Sequence, residues 1–320
     1  MYNLEGLTLK FKVNRILNDK EKEHHLLQNE RLRSKPLYHS RIIRMNSTYL
    51  ECVDKFFYNK GIISAGIIAV TVLGLIPMMY LSLLVLMEGF GEYFVLFLIL
   101  LLIMFGLLFI AVKFILRKEC FAYTHYPILF NRKTRKVHVF RQNGTVMTED
   151  WDKLYFTLTR CKQSLFDWEV RGHRMAADGE TVLETFGLPY ADILVRGTNS
   201  TTWSFWEYVR RYMEEPDELP ALADQIKDAL DITHKKERFW DGFSCLTKEG
   251  DAIMNILFLP ITLIYALGRW IANITSKIPR WSAEIEAQCQ IEPDDPYLRD
   301  AKYFATIKHQ ATGKSWDPYH

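Results

Sequence analysis

Two runs without a single charged residue dominate this chain. Gly61 to Met87 and Tyr93 to Val112, 27 and 20 residues long, contain no Asp, Glu, Lys or Arg. All 40 Lys and Arg and all 38 Asp and Glu fall outside them. About 20 apolar residues in a helix, rising ~1.5 Å each, cross the ~30 Å hydrocarbon core of a bilayer. Each run is long enough to span. The first has room for a tilt or for a kink at Pro77, whose ring removes a backbone donor. The competing reading is a pair of buried core helices, and two adjacent charge-free runs of this length argue against it. Averages conceal the pattern: a mean hydropathy of −0.07 and a net charge of +2 describe an ordinary soluble protein.

Charge around the runs is asymmetric. The connector Glu88-Gly-Phe-Gly-Glu92 carries two acids and no base, whereas Lys55 and Lys60 precede the pair and Lys113, Arg117 and Lys118 follow it. The positive-inside rule then predicts a hairpin with an external turn, leaving residues 1–60 and 113–320 in the cytoplasm. The first 30 residues hold no apolar signal region, so the first run is expected to target the chain itself. Five cysteines, an odd number with no CxxC pair, suit a reducing compartment better than a disulfide scaffold. A third apolar stretch, Ala252 to Gly268, has 17 residues and contains Asn255 and Pro260. It sits at the lower limit for a span, and Arg269, Trp270 and Trp281 after it favour an interfacial or re-entrant helix within 252–276 over a crossing or a core helix.

The remainder is polar. Residues 1–60 carry twelve Lys/Arg against seven Asp/Glu. They read as a weakly packed basic arm, with Ile16 to Arg33 as its one helical candidate. Beside anionic lipid such an arm gains about 1 kcal/mol per well-placed base. Short strands are predicted at Phe121–Tyr126, Ile128–Phe130, Val137–Phe140, Thr145–Met147, Leu154–Leu158, Asp167–Arg171 and Thr181–Phe186, with turns at 131–136, Asn143-Gly144 and Asp178-Gly179. A helix opening at Ser200 or Thr201 and stopped by Pro216 follows, then a second over Pro220 to Thr233. The expected class is an α+β membrane protein: basic arm 1–60, two-helix transmembrane hairpin 61–116, β-rich domain with a closing helix 117–215, and a helical region 216–320. A strand meander closed by an amphipathic helix resembles the pleckstrin-homology-like architecture across residues 120–215.

No sequence pattern names a reaction. GxSxG, the Walker loop, the dinucleotide GxGxxG and HExxH are all absent, so no catalytic residue, metal or cofactor is expected. The near-neutral charge argues against a nucleic-acid partner. Arg132, Lys133, Arg135 and Lys136 crowd one hairpin turn and are candidates for anionic lipid headgroups or phosphate; a solvated turn is the bland alternative. Arg171 and His173 flank a glycine and offer a polar contact for a partner. Trp203 and Trp206 belong to an aromatic cluster that suits core packing or a binding face. His125, His138 and His173 with Asp150 are the groups a membrane-surface enzyme acting on lipid or a lipid-linked substrate would use, if their strands brought them together.

Four stretches together resemble an uncharacterised family of bacterial inner-membrane proteins encoded near type VI secretion genes: Tyr123-Thr-His-Tyr-Pro-Ile-Leu-Phe-Asn-Arg132, Trp168-Glu-Val-Arg-Gly-His173, Glu184-Thr-Phe-Gly-Leu-Pro189 and Trp206-Glu-Tyr-Val-Arg-Arg-Tyr-Met-Glu-Glu215. The resemblance covers roughly residues 115–300 and brings no catalytic residues with it. It implies a Gram-negative inner-membrane location, where the hairpin read from the charges makes the protein multi-pass with a cytoplasmic interaction domain. It also implies an accessory or immunity role, with a secreted effector or secretion component as protein partner.

Overall fold

A computed structural model describes residues 2–5, 9–88, 91–110, 113, 119–160, 166–193, 200–247 and 252–312. The chain forms two compact units. One comprises Met1–Phe57, His125–Lys235 and Pro279–His320, the other Tyr58–Thr124 and Lys236–Ile278.

The first unit is built on antiparallel strands. β1 (Tyr2–Glu5) and β2 (Leu9–Lys12) form a separate hairpin. Then come β3 (Arg15–Ile16), the single-turn α1 (Asp19–Glu23), β4 (His25–Leu26), β5 (Ile42–Met45) and β6 (Tyr49–Cys52). After the second unit's first stretch the strands resume as β7 (Ile128–Asn131), β8 (Lys136–Phe140), β9 (Val146–Asp150), β10 (Leu154–Arg160), β11 (Phe166–Met175) and β12 (Thr181–Ile193), with β13 (Arg299–Asp300) near the end. The strand orders are β3-β12-β11-β10-β4 in one sheet and β13-β5-β6-β7-β8-β9 in the other. β6 pairs directly with β7, Cys52 opposite Ile128, although 75 residues separate them.

Alternation along each strand sets the core. Leu50, Phe130, Val137 and Met147 from the six-stranded sheet share one apolar cluster with Phe156, Val170, Phe186 and Leu188 from the five-stranded sheet. The helix α4 (Ser200–Glu214) adds Phe205, Trp206, Tyr208, Val209 and Tyr212, and the short α5 (Leu219–Gln225) adds Leu222. Tyr212 donates to the Asn46 carbonyl at 2.8 Å and Tyr208 to that of Leu222 at 3.1 Å, so neither buried hydroxyl lacks a partner. Gly172 is required by packing: a Cβ there would stand 2.4 Å from the Phe186 ring.

The two helices of the other unit that match the charge-free runs are α2 (Ile62–Glu88), with Pro77 inside it, and α3 (Glu92–Ile110). They are followed by α6 (Phe239–Thr247), α7 (Ala252–Leu257) and α8 (Leu259–Thr275). Pro260 stands in the first turn of α8, where a missing N–H costs nothing, so the third apolar stretch breaks at Phe258. Beyond it, in the first unit, lie α9 (Ala283–Gln288) and α10 (Ala301–Thr312).

Four expectations change. Residues 1–60 are not a loose arm: β3 and β4 pair with β12 and β10, and β5 and β6 sit inside the six-stranded sheet. The helix expected over Ile16 to Arg33 shrinks to five residues, capped by Asn18 and Glu21 in a reciprocal box. Phe121–Tyr126 is not a strand, because Thr124 N–H and the Ala122 carbonyl bond to Lys277. The second helix stops at Gln225, and Leu230 N–H then bonds to the Ile42 carbonyl beside β5. In each case a long-range backbone bond outweighs local propensity.

Candidate functional site

The helical unit is apolar on its outside. Only 11% of the apolar window of α2 is buried, and none of that of α3. Leu86 and Leu102 are 81% and 76% exposed. At about 1.5 Å per residue α2 is about 40 Å long and α3 about 28 Å, and by length and composition both are candidates to cross a membrane. Contiguous apolar surface on this scale marks an interaction site with membrane or protein. Between the two helices runs an apolar cleft of ≈ 580 Å³ lined by Ile67, Gly74, Pro77, Met104 and Leu107.

Its polar groups are gathered at the start of α2. The Glu119 carboxylate accepts from Gly61 N–H at 2.6 Å, from Ser64 N–H at 2.8 Å and from the Ser64 hydroxyl at 2.5 Å. This satisfies amides that every helix N-terminus leaves unpaired and places a negative charge where the helix dipole favours it. Arg269, 1% exposed, donates two bonds of 2.9 Å to Glu237, which also accepts from Asn273 at 2.7 Å. Gly61, at φ +97°, lies where a Cβ would be 2.3 Å from the Arg269 Cα, so α2 and α8 meet backbone to backbone.

In the sheet unit the buried polar groups form a row on the face of β10–β12 turned from the apolar core. Lys55 and Glu169 pair at 2.5 Å with side chains 1% and 0% exposed. Arg171 adds a second bond to Glu169 at 2.5 Å and stacks on the Phe11 ring at 4.8 Å. Burial alone would raise the Glu169 carboxyl, but Lys55 and Arg171 outweigh it and hold the group below its ordinary value. His173 sits between the hydroxyls of Thr157 and Thr185, 2.9 Å from each, and burial lowers its pKa to about 3. Glu21 balances burial against its bonds to Arg15 and to the Asn18 amide, and ends below the usual carboxylate range.

A profile of the family of unknown function DUF6708 matches residues 105–293, more than half of the chain. The chain belongs to the DUF6708 family. No curated protein and no solved structure matches it. The DUF6708 stretch runs from the end of α3 through β7–β12, α4 and α8 to α9, and β1–β6 lie outside it.

Several expectations for this DUF6708 chain are corrected by where the residues sit. His173 and Trp206 are 0% exposed and offer nothing to a partner; Trp203 is half-buried against the core, and Arg171 is held by Glu169 and Phe11. Lys55, expected as a membrane flank, is an internal ion-pair partner instead. Of the turn bases, Lys133 pairs with Glu292, and Arg135 with Asp152 and with Glu214 at 2.7 Å, which raises its pKa further. Arg132 and Lys136 are half-buried, with Arg132 N–H bonded to the Thr48 carbonyl. The turn is knitted into its own unit. Arg117 and Lys118 lie outside the described residues.

The histidines do not converge. His138 lies on β8, on the face of the six-stranded sheet opposite the core, bonded to Thr148 at 2.9 Å. Burial and the charge of Lys136 lower its pKa to about 4. His173 is on the other sheet, and Asp150 pairs with Lys153. Beside His138, Trp281 donates to Glu51 at 2.7 Å, and burial raises the Glu51 carboxyl. Among the described residues no group of three His, Cys, Asp or Glu could hold a metal.

Proposed function

We propose that this DUF6708 chain is a non-enzymatic integral membrane protein: α2 and α3 cross the bilayer and carry the sheet unit as a cytoplasmic interaction domain. The outward apolar faces of α2 and α3, hardly buried by the rest of the protein, carry this reading. In water they would cost roughly 25 cal/mol for each Å² left exposed. The acidic turn at Glu88 and Glu92 against Lys60 and Lys113 supports an external loop. Strands β5–β9 and β10–β12 in meander order, closed by α4, support the likeness to a pleckstrin-homology-like domain. The partner we propose is a secreted effector or a component of a type VI secretion system, with an accessory or immunity role in a bacterial inner membrane. That choice rests on the sequence resemblance alone.

The test is fractionation of the untagged protein with an alkaline carbonate wash. Retention in the pellet is expected, and release into the soluble fraction would sink the membrane reading. Co-purification with products of neighbouring genes in mild detergent tests the partner separately.

A further inference from the structure

The third apolar stretch has no place in that reading. From Ala252 to Gly268 it carries no charge, yet it is not a core helix: Ile253, Ile256, Leu257 and Ile261 are 80%, 73%, 67% and 63% exposed. It is also not one helix: the chain breaks at Phe258, and neither α7, about 9 Å, nor the uncharged part of α8 before Arg269, about 15 Å, spans the ~30 Å core by itself. Its later half is tied to the beginning of α2: Tyr265 donates to the Tyr58 carbonyl at 3.1 Å, Arg269 to those of Tyr58 and Lys60 at 3.3 and 3.4 Å, and a Cβ on Gly268 would meet the Ala65 amide nitrogen at 2.4 Å.

We propose that α7 and the first turn of α8 form a third lipid-embedded element, a helix–break–helix wedge that enters the bilayer on the cytoplasmic side and returns to it. The proposal rests on α2 being membrane-inserted. Tyr265 and Arg269 fix α8 at the level where α2 begins, so the uncharged residues 253–264 are the ones free to dip. Six residues of α7 and one turn of α8 are each only about 9 Å long or less, which suits the outer part of one leaflet. Trp240 and Trp270, 68% and 37% exposed in the same unit, are the side chains that settle at the headgroup level. The occupant is the acyl region of a bilayer. A protein partner on the same residues is the outcome that would refute it.

The experiment places p-benzoylphenylalanine singly at Leu75, Ile256 and Ile261 of the full chain, reconstituted in vesicles of phosphatidylethanolamine and phosphatidylglycerol and irradiated. Lipid adducts by intact mass are expected at all three. Adducts at Leu75 with none at Ile256 and Ile261, or protein cross-links there instead, overturn the wedge and leave the α2–α3 reading intact. No adduct at Leu75 overturns both. Protease protection of tags at residues 1 and 320 in sealed vesicles completes the test. Tags cleaved from the same side are expected, and tags on opposite sides would make the stretch a crossing.

Discussion

The sheet unit and the helical unit dispose of charge in opposite ways. The sheet unit places an apolar cluster at its centre and buries a second, ionic layer outside one sheet, with Lys55, Glu169 and Arg171 locked together. The helical unit buries its ions at one end, Arg269 with Glu237 and Glu119 over the start of α2, and turns its apolar side chains outward. A soluble domain tolerates the first arrangement only when every buried charge has a partner. The second leaves a large apolar surface that apolar surroundings or a partner would cover. Burial of charge therefore says little about environment, whereas the direction of the apolar side chains says a great deal.

The largest effect should come from breaking the ionic layer. Glu169→Ala leaves Lys55 and Arg171 facing each other in a dry site and should destabilise the sheet unit by roughly 3–5 kcal/mol, read as a fall in thermal midpoint of the detergent-solubilised protein. Lys55→Met, Glu169→Leu and Arg171→Met together should recover most of that loss. In the helical unit, Leu102→Arg in the middle of α3 should cost about 2.5–3.5 kcal/mol of insertion and deplete the carbonate-resistant pellet. An unchanged pellet would put α3 outside the bilayer.

Acid should act on the sheet unit next. His173 and His138 have folded pKa values of about 3 and about 4, below the unfolded 6.5. Unfolding therefore takes up protons as pH falls through 6.5. The stability conferred by neutral burial is complete above that pH and drains away toward the folded values. Between pH 6.5 and 4.5 each histidine should remove about 2 kcal/mol, and His173→Gln should flatten the pH profile of the thermal midpoint. The smallest effect belongs to the surface: Lys133→Ala, breaking an exposed pair with Glu292, should change stability by about 0–1 kcal/mol. A marked loss of binding to phosphatidylglycerol vesicles in that variant would revive the turn as a lipid site.

Much of the frame was legible in the residues. The two charge-free runs are α2 and α3, Asn143-Gly144 and Asp178-Gly179 are turns with glycines at φ +83° and +72°, and Pro260 marks the break before α8. What stayed hidden is non-local. β3 and β4 are two residues each and acquire their meaning only from β12 and β10, more than 100 residues away. Lys55 looked like one more base before a membrane run, because nothing in its neighbourhood announces Glu169, 114 residues on. The row Glu169, Arg171, His173 alternates as an exposed strand face would, and only the chain folded over it, with Phe11, Glu21 and Lys55, makes it internal. For the same reason Arg171 and His173 read as a partner surface in the sequence and are internal in the fold.

The pairing of β6 with β7 has a consequence for the order of events during synthesis. Cys52 and Ile128 are bonded neighbours, yet α2 and α3 are made between them. The ribosome therefore releases β5 and β6 well before the strand that completes their sheet. Widening a loop raises its closure entropy only slowly, so the delay is a matter of time more than of energy. During that interval Leu50 and Cys52 wait without Phe130 and Ile128. β3 and β4 wait longer still, for β12 and β10, so a slow step placed in α2 or α3 would delay both sheets of the unit.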